Sequence, residues 1–201
     1  MRPIFFLDID TQKDFLYADG ACCMQRGELI LPVLQKLTHF AADKSLPLLS
    51  TACLHDPDAG SFHGLAAHCL AGHDGAAKVP ESLHLRHHRI ENRRVDRNLA
   101  LLFQQYTQVV LEKSNHDLLD NPNSSRILGC LGKNAFVYGC HEKSIEMAIA
   151  AMLSRGIQVV VVEDACAWME PARARRLLGD LEKKGVRRIN SKQLFMILAD
   201  D

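Results

Sequence analysis

The sequence has no excess charge of either sign, with 24 Lys and Arg against 24 Asp and Glu. No net field draws it to nucleic acid or to an anionic membrane surface, so a small molecule or a protein is the expected partner. It also lacks an uninterrupted apolar run long enough to cross a bilayer. The opening MRPIFFLDIDTQ meets acidic residues too soon for a secretory signal, and the expected location is cytoplasmic. There is no internal repeat and no low-complexity linker, so one domain over residues 1–201 is expected. A disulfide framework is missing as well, because seven scattered cysteines are an odd number that suits reduced thiols. Cys22 and Cys23 do not have metal-motif spacing. The basic cluster HLRHHRIENRR, residues 84–94, lacks the interleaved aromatics of a nucleic-acid surface and reads as a solvated face or a subunit contact.

What is present alternates. Short runs rich in Val, Ile, Leu and Phe recur at 3–9, 47–53, 108–112, 135–139 and 158–163, and their near-continuous hydrophobicity predicts strands buried on both faces. Between them, 28–42, 143–155 and 171–184 carry helical spacing, the last opening on Pro171 and stopping before Gly185. The expected fold is α/β, a three-layer sandwich around a mostly parallel, doubly wound sheet. Residues 54–98 break the pattern. They hold seven histidines and little periodicity, and are expected to form an irregular insertion over the sheet's active edge.

Ligands of doubly wound sheets sit beyond the carboxyl ends of the strands. That rule nominates Asp8 and Asp10, then Cys53 and His55, then Lys113, then the stretch from Gly139 to Ser144. A carboxylate, an ammonium group and a thiol or hydroxyl would converge there, the makings of a nucleophile and its proton-transfer partners.

On these residues the chain resembles the isochorismatase-like, or nicotinamidase-related, cysteine hydrolases, whose fold is Rossmann-like. The resemblance rests on LDIDTQKDF, LSTACLHDPD, AAHCLAG followed by KVPES, LEKSNHDLLDNPN, VYG and GIQVVVVEDACA, in that order along nearly the whole chain. It implies Asp10 and Lys113 as catalytic residues and a nucleophilic Cys at the start of the helix that follows 135–139. Counting back from the SRG at that helix's end, Ser144 stands in the Cys position, and the loop from Gly139 is one residue shorter than the family's usual spacing.

Two candidates for the reacting atom follow. Ser144 needs an aligned base, usually a His, and the family pattern supplies none there, although His141 is adjacent. It is also a good helix N-cap, which is a non-catalytic reason for its presence. Cys140 is the other candidate, with packing at a strand end as the competing reading. The resemblance to the nicotinamidase branch further implies a divalent-metal set matched by His55, His63 and His68, with Cys53 in the place of that branch's Asp, and zinc is the metal such donors prefer. Two functions stay open. One is a hydrolase of a small amide, ester or vinyl ether, favoured by Asp10 and Lys113. The other is a non-catalytic relative that binds a small molecule or serves in an assembly, favoured by Ser144 and the short loop. The resemblance also implies a homo-oligomer.

Overall fold

Each apolar run becomes a strand because helices cover the sheet on both faces, so alternate residues have no water to face. In the computed structural model, which describes residues 4–58, 62 and 64–199, the strands are β1 (Ile4–Ile9), β2 (Leu48–Cys53), β3 (His87–Ile90), β4 (Gln108–Lys113), β5 (Asn134–Cys140), β6 (Gln158–Ala167) and β7 (Arg187–Ile189). They form one parallel seven-stranded sheet in the order β3-β4-β2-β1-β5-β6-β7. All of β2 and all of β1 except Ile4 are buried.

The helices are α1 (Lys13–Leu16), α2 (Leu31–Asp43), α3 (Leu102–Gln105), α4 (Ser124–Cys130), α5 (Glu142–Leu153), α6 (Pro171–Lys183) and α7 (Ser191–Ala199). α2 buries Leu34, Leu37 and Ala41 at helical spacing, and each leucine contributes about 1.5–3 kcal/mol of transfer free energy. Phe40 of α2 meets Phe195 of α7 with ring centroids 5.0 Å apart, and α5 packs against α6. Among the described residues no helix is long and apolar enough to cross a membrane.

β1 lies between β2 and β5. The chain winds outward from β1 through β2, then returns to lay β5 on β1's other side, so the winding reverses at the β1/β5 seam. That seam is unusually tight. Gly139 has φ +128°, and a Cβ there would lie 2.1 Å from the carbonyl oxygen of Ile9. Only glycine lets the two backbones approach so closely.

The structure departs from expectation in three places. The basic cluster holds β3, an edge strand paired with β4, so the 54–98 segment is not wholly irregular. The strand expected at 158–163 runs on to Ala167 through a bulge, since Val137 pairs with Val161 but Gly139 with Cys166. α5 begins at Glu142, and its N-cap is His141 instead of Ser144. His141 holds φ 71° and accepts the Lys143 N–H on Nδ1 at 3.2 Å. The strand-to-helix turn is thus a single residue, which is where the short spacing goes.

Candidate functional site

The opening signature organises the ends of three strands. Asp10 follows β1 with φ 52°, and its backbone N–H donates to Thr51 Oγ1 at 3.1 Å. The side chain of Gln12 clamps the end of β2, accepting the Cys53 N–H and donating to the Cys53 carbonyl, both at 2.7 Å. Asp14 accepts the N–H groups of Cys69 at 2.6 Å and Ala21 at 3.1 Å, tying the insertion to α1. Phe15 packs on His68, ring centroids 5.2 Å apart. Gln12, Asp14 and Phe15 are therefore scaffold, and they fix where Asp10 points.

Asp10 and Lys113 form a buried ion pair, Nζ to Oδ2 2.7 Å, with both side chains 2% exposed. Burial alone would raise the carboxyl's pKa. The charge of Lys113 and hydrogen bonds from Lys113, Thr51 and Ser144 outweigh it and hold Asp10 below the ordinary 3.8. Burial likewise disfavours the ammonium, and Asp10 reverses that, keeping Lys113 above the ordinary 10.5. Both groups are charged at neutral pH. Asp8, the other strand-end carboxylate, is engaged elsewhere. It pairs with Lys78 at 2.9 Å and accepts from Thr11 at 2.8 Å and Ser50 at 3.0 Å, in a second buried network.

Ser144 lies in the first turn of α5, 1% exposed, and its hydroxyl helps to lower the pKa of the Asp10 carboxyl. Its Oγ is also 3.1 Å from Nδ1 of His116. That imidazole stacks on His141, centroids 4.3 Å apart and 16° from parallel. His116 comes from the loop after β4, and this loop is closely held. Lys113 Nζ donates to the Asn115 carbonyl at 2.8 Å, while Asp120 accepts from Ser114 N, Ser114 Oγ, Asn115 and Asn92 at 2.7–2.9 Å. His116 and His141 also line a cleft of about 290 Å³ with Leu65, Met169, Glu170 and Arg173, so they connect Ser144 to the surface. Burial keeps the pKa of His141 below 6.5 against the pull of Glu142 and Asp10. A larger cleft, about 730 Å³, lies at the opposite ends of the strands, by Ile4, Asn134 and Gln158, away from this cluster.

Asp10, Lys113 and Ser144 are thus brought together. Cys140 is not part of their hydrogen-bonded cluster: it ends β5 wholly buried, and desolvation pushes its thiol well above the ordinary value. Sequence reasoning missed His116. The available signal was a His three residues beyond Lys113 in a turn-rich SNHDLLDN stretch at a strand end.

The metal candidates stand apart. Cys53 Sγ lies 3.2 Å from His55 Nε2, the rings of His55 and His68 meet edge-on at 4.9 Å, and His68 Nδ1 is 2.8 Å from the Ala66 carbonyl. His63 lies outside the described residues. Burial pushes the Cys53 thiol up to about 12. Among the described residues no three His, Cys, Asp or Glu side chains are grouped to hold an ion.

The isochorismatase domain model matches residues 5–193. No curated protein matches the chain. Among solved structures, an isochorismatase family protein from Desulfovibrio vulgaris superposes with TM-score 0.74 at 21% identity, covering 99% of this chain and 100% of that one. A pyrazinamidase of Pyrococcus horikoshii, solved in complex with zinc, gives 0.75 at 18% identity, covering 94% and 99%. A nicotinamidase/pyrazinamidase from Bacillus subtilis gives 0.72 at 16%, covering 94% and 100%. At these identities the likeness is one of fold.

Proposed function

Taking as premise that the chain belongs to the isochorismatase family, we propose that it hydrolyses a small amide or ester by acyl transfer to Ser144. The observation that carries this reading is the buried Asp10–Lys113 pair at the reversal point of the sheet, with Ser144 influencing its carboxylate and bonded to His116. A serine placed only to start the helix would have no need of an ion pair behind it, and His141 already caps α5.

The charge state of Asp10 sets the reaction class. A vinyl ether is opened by protonating carbon, which needs an acid that still carries its proton near neutral pH. Asp10 is ionised and held so by Lys113, which makes it an acceptor of protons and favours acyl chemistry. Lys113 keeps that carboxylate charged and, through the Asn115 carbonyl, fixes the loop beside it. The first turn of α5 leaves the Glu142 and Ser144 N–H groups without an acceptor among the described residues, and such donors suit a developing oxyanion. The second reading, a binding protein without chemistry, draws on the burial of Ser144.

Release of ammonia from nicotinamide, pyrazinamide and simple aliphatic amides, and of acid from short esters, tests the proposal with wild type beside Ser144→Ala. Turnover in the wild type that disappears in Ser144→Ala is the expected result. Equal turnover in both would place the reacting atom elsewhere than Ser144, and none in either across the panel would favour the binding protein.

A further inference from the structure

We propose that His116 is the catalytic base that makes a serine workable in this site, taking the Ser144 hydroxyl proton as Oγ attacks the acyl carbon. The inference rests on the hydrolase reading above and adds a residue that the family resemblance does not supply.

The argument is one of matching acid to base. Ser144 has one proton and two bases nearby, Nδ1 of His116 at 3.1 Å and the Asp10 carboxylate whose pKa it lowers. Asp10 is held below 3.8 by Lys113. Such a carboxylate, backed by a neighbouring cation, can help a thiol whose ordinary pKa is about 8.5. It is a poor base for an alcohol, which is a far weaker acid. An imidazole, ordinarily near 6.5, is the side chain whose basicity suits proton transfer at neutral pH. The 3.1 Å contact between Nδ1 and Oγ lies within the reach a base requires.

Position is held from three sides. His141 stacks on the ring at 4.3 Å, Lys113 Nζ holds the preceding carbonyl of Asn115, and Asp120 closes the loop with four hydrogen bonds. The titratable and charged groups around the imidazole are Asp10 and Lys113 on the far side of Ser144, and His141, Glu142, Lys143, Glu170 and Arg173 along the cleft.

The step balances without another reagent. With His116 in the tautomer protonated on Nε2, the Oγ–H bond breaks toward Nδ1, the Oγ–C bond forms, and the carbonyl electron pair moves onto oxygen. Collapse of that adduct expels the amine or alcohol, which takes the proton from the imidazolium. Water then gives its proton to Nδ1, attacks the acyl-serine and releases the carboxylic acid, and the proton returns to Oγ.

The test combines His116→Ala with Ser144→Cys, with p-nitrophenyl acetate hydrolysis and covalent labelling of residue 144 by a fluorophosphonate as probes. In the serine protein, His116→Ala should slow both by about 100-fold or more, the ordinary range for a lost general base. Added imidazole should restore part of the hydrolysis in His116→Ala but none in Ser144→Ala. In the Ser144→Cys background the same loss should shrink to under about 10-fold, because a thiol needs less help. An equal loss in both backgrounds, or a serine protein indifferent to His116→Ala, overturns the role of His116 and leaves the hydrolase reading standing. A wild type that neither turns over nor labels overturns His116 as a base for serine, and Ser144→Cys then separates the readings. If the cysteine variant is active, the family's site survives. If it is silent too, the hydrolase reading falls as well.

Discussion

Removing one member of a buried ion pair leaves the other charged and without its partner, at a cost of about 3–5 kcal/mol. Asp10→Asn and Lys113→Met should each lower the urea-unfolding free energy by that order, whereas the double variant should recover much of the loss. Equal additive losses would mean that the two side chains stabilise the fold separately. The signs with pH are opposite for the two partners. Asp10 has its folded pKa depressed, so its contribution is present above 3.8 and is lost as pH falls through the folded value. Lys113 has its folded pKa raised, so its contribution is present below 10.5 and is lost as pH rises. This convergence was legible in the sequence because strand ends in a doubly wound sheet face one edge, whatever the loops do. His116 was not, because its position depends on a turn that Asp120 closes by hydrogen bonds to Ser114, Asn115 and Asn92, and no spacing rule describes that turn.

The β5–α5 junction is the element on which the site's geometry depends. A methyl group at position 139 would lie 2.1 Å from the Ile9 carbonyl oxygen at φ +128°. Gly139→Ala should therefore destabilise the protein by about 1–3 kcal/mol or more and, by moving Ile9, shift Asp10 and Ser144 apart. Activity should fall further than the lost folded fraction explains, and a fall that merely tracks unfolding would show that the seam does not set the site. Elements buried on both faces, such as β1 and β2, could be read from their apolar runs. β3 and β7 could not, because edge strands of four and three residues carrying His and Arg show neither a run nor an alternation. The start of α5 was misplaced for a related reason. His141 caps it from an uncommon positive-φ conformation that a propensity for Ser at N-caps does not anticipate.

At the scale of the molecule, burial acts on histidines and cysteines in opposite directions of pH. His84, His88 and His141 are all held below 6.5, chiefly by burial, so the unfolded chain takes up protons first and stability declines as pH falls below about 6.5. Cys53 and Cys166 are pushed up to about 12, and Cys69 and Cys140 are raised as well, so the unfolded chain loses protons first as pH rises above 9.0. Urea midpoints should form a plateau from about pH 6.5 to 9 and fall on both sides, and a midpoint constant from pH 5 to 10 would contradict this. The position of β1 also bears on synthesis. It lies between β2 and β5, and the partner of Asp10 is 103 residues further along the chain. At about 5–20 residues per second, a ribosome needs about 5–20 s to deliver that ammonium group. For that interval the Asp10 carboxylate must stay hydrated, and until β5 follows at Asn134–Cys140 β1 has only β2 to pair with, which leaves an open, aggregation-prone edge on the newborn chain.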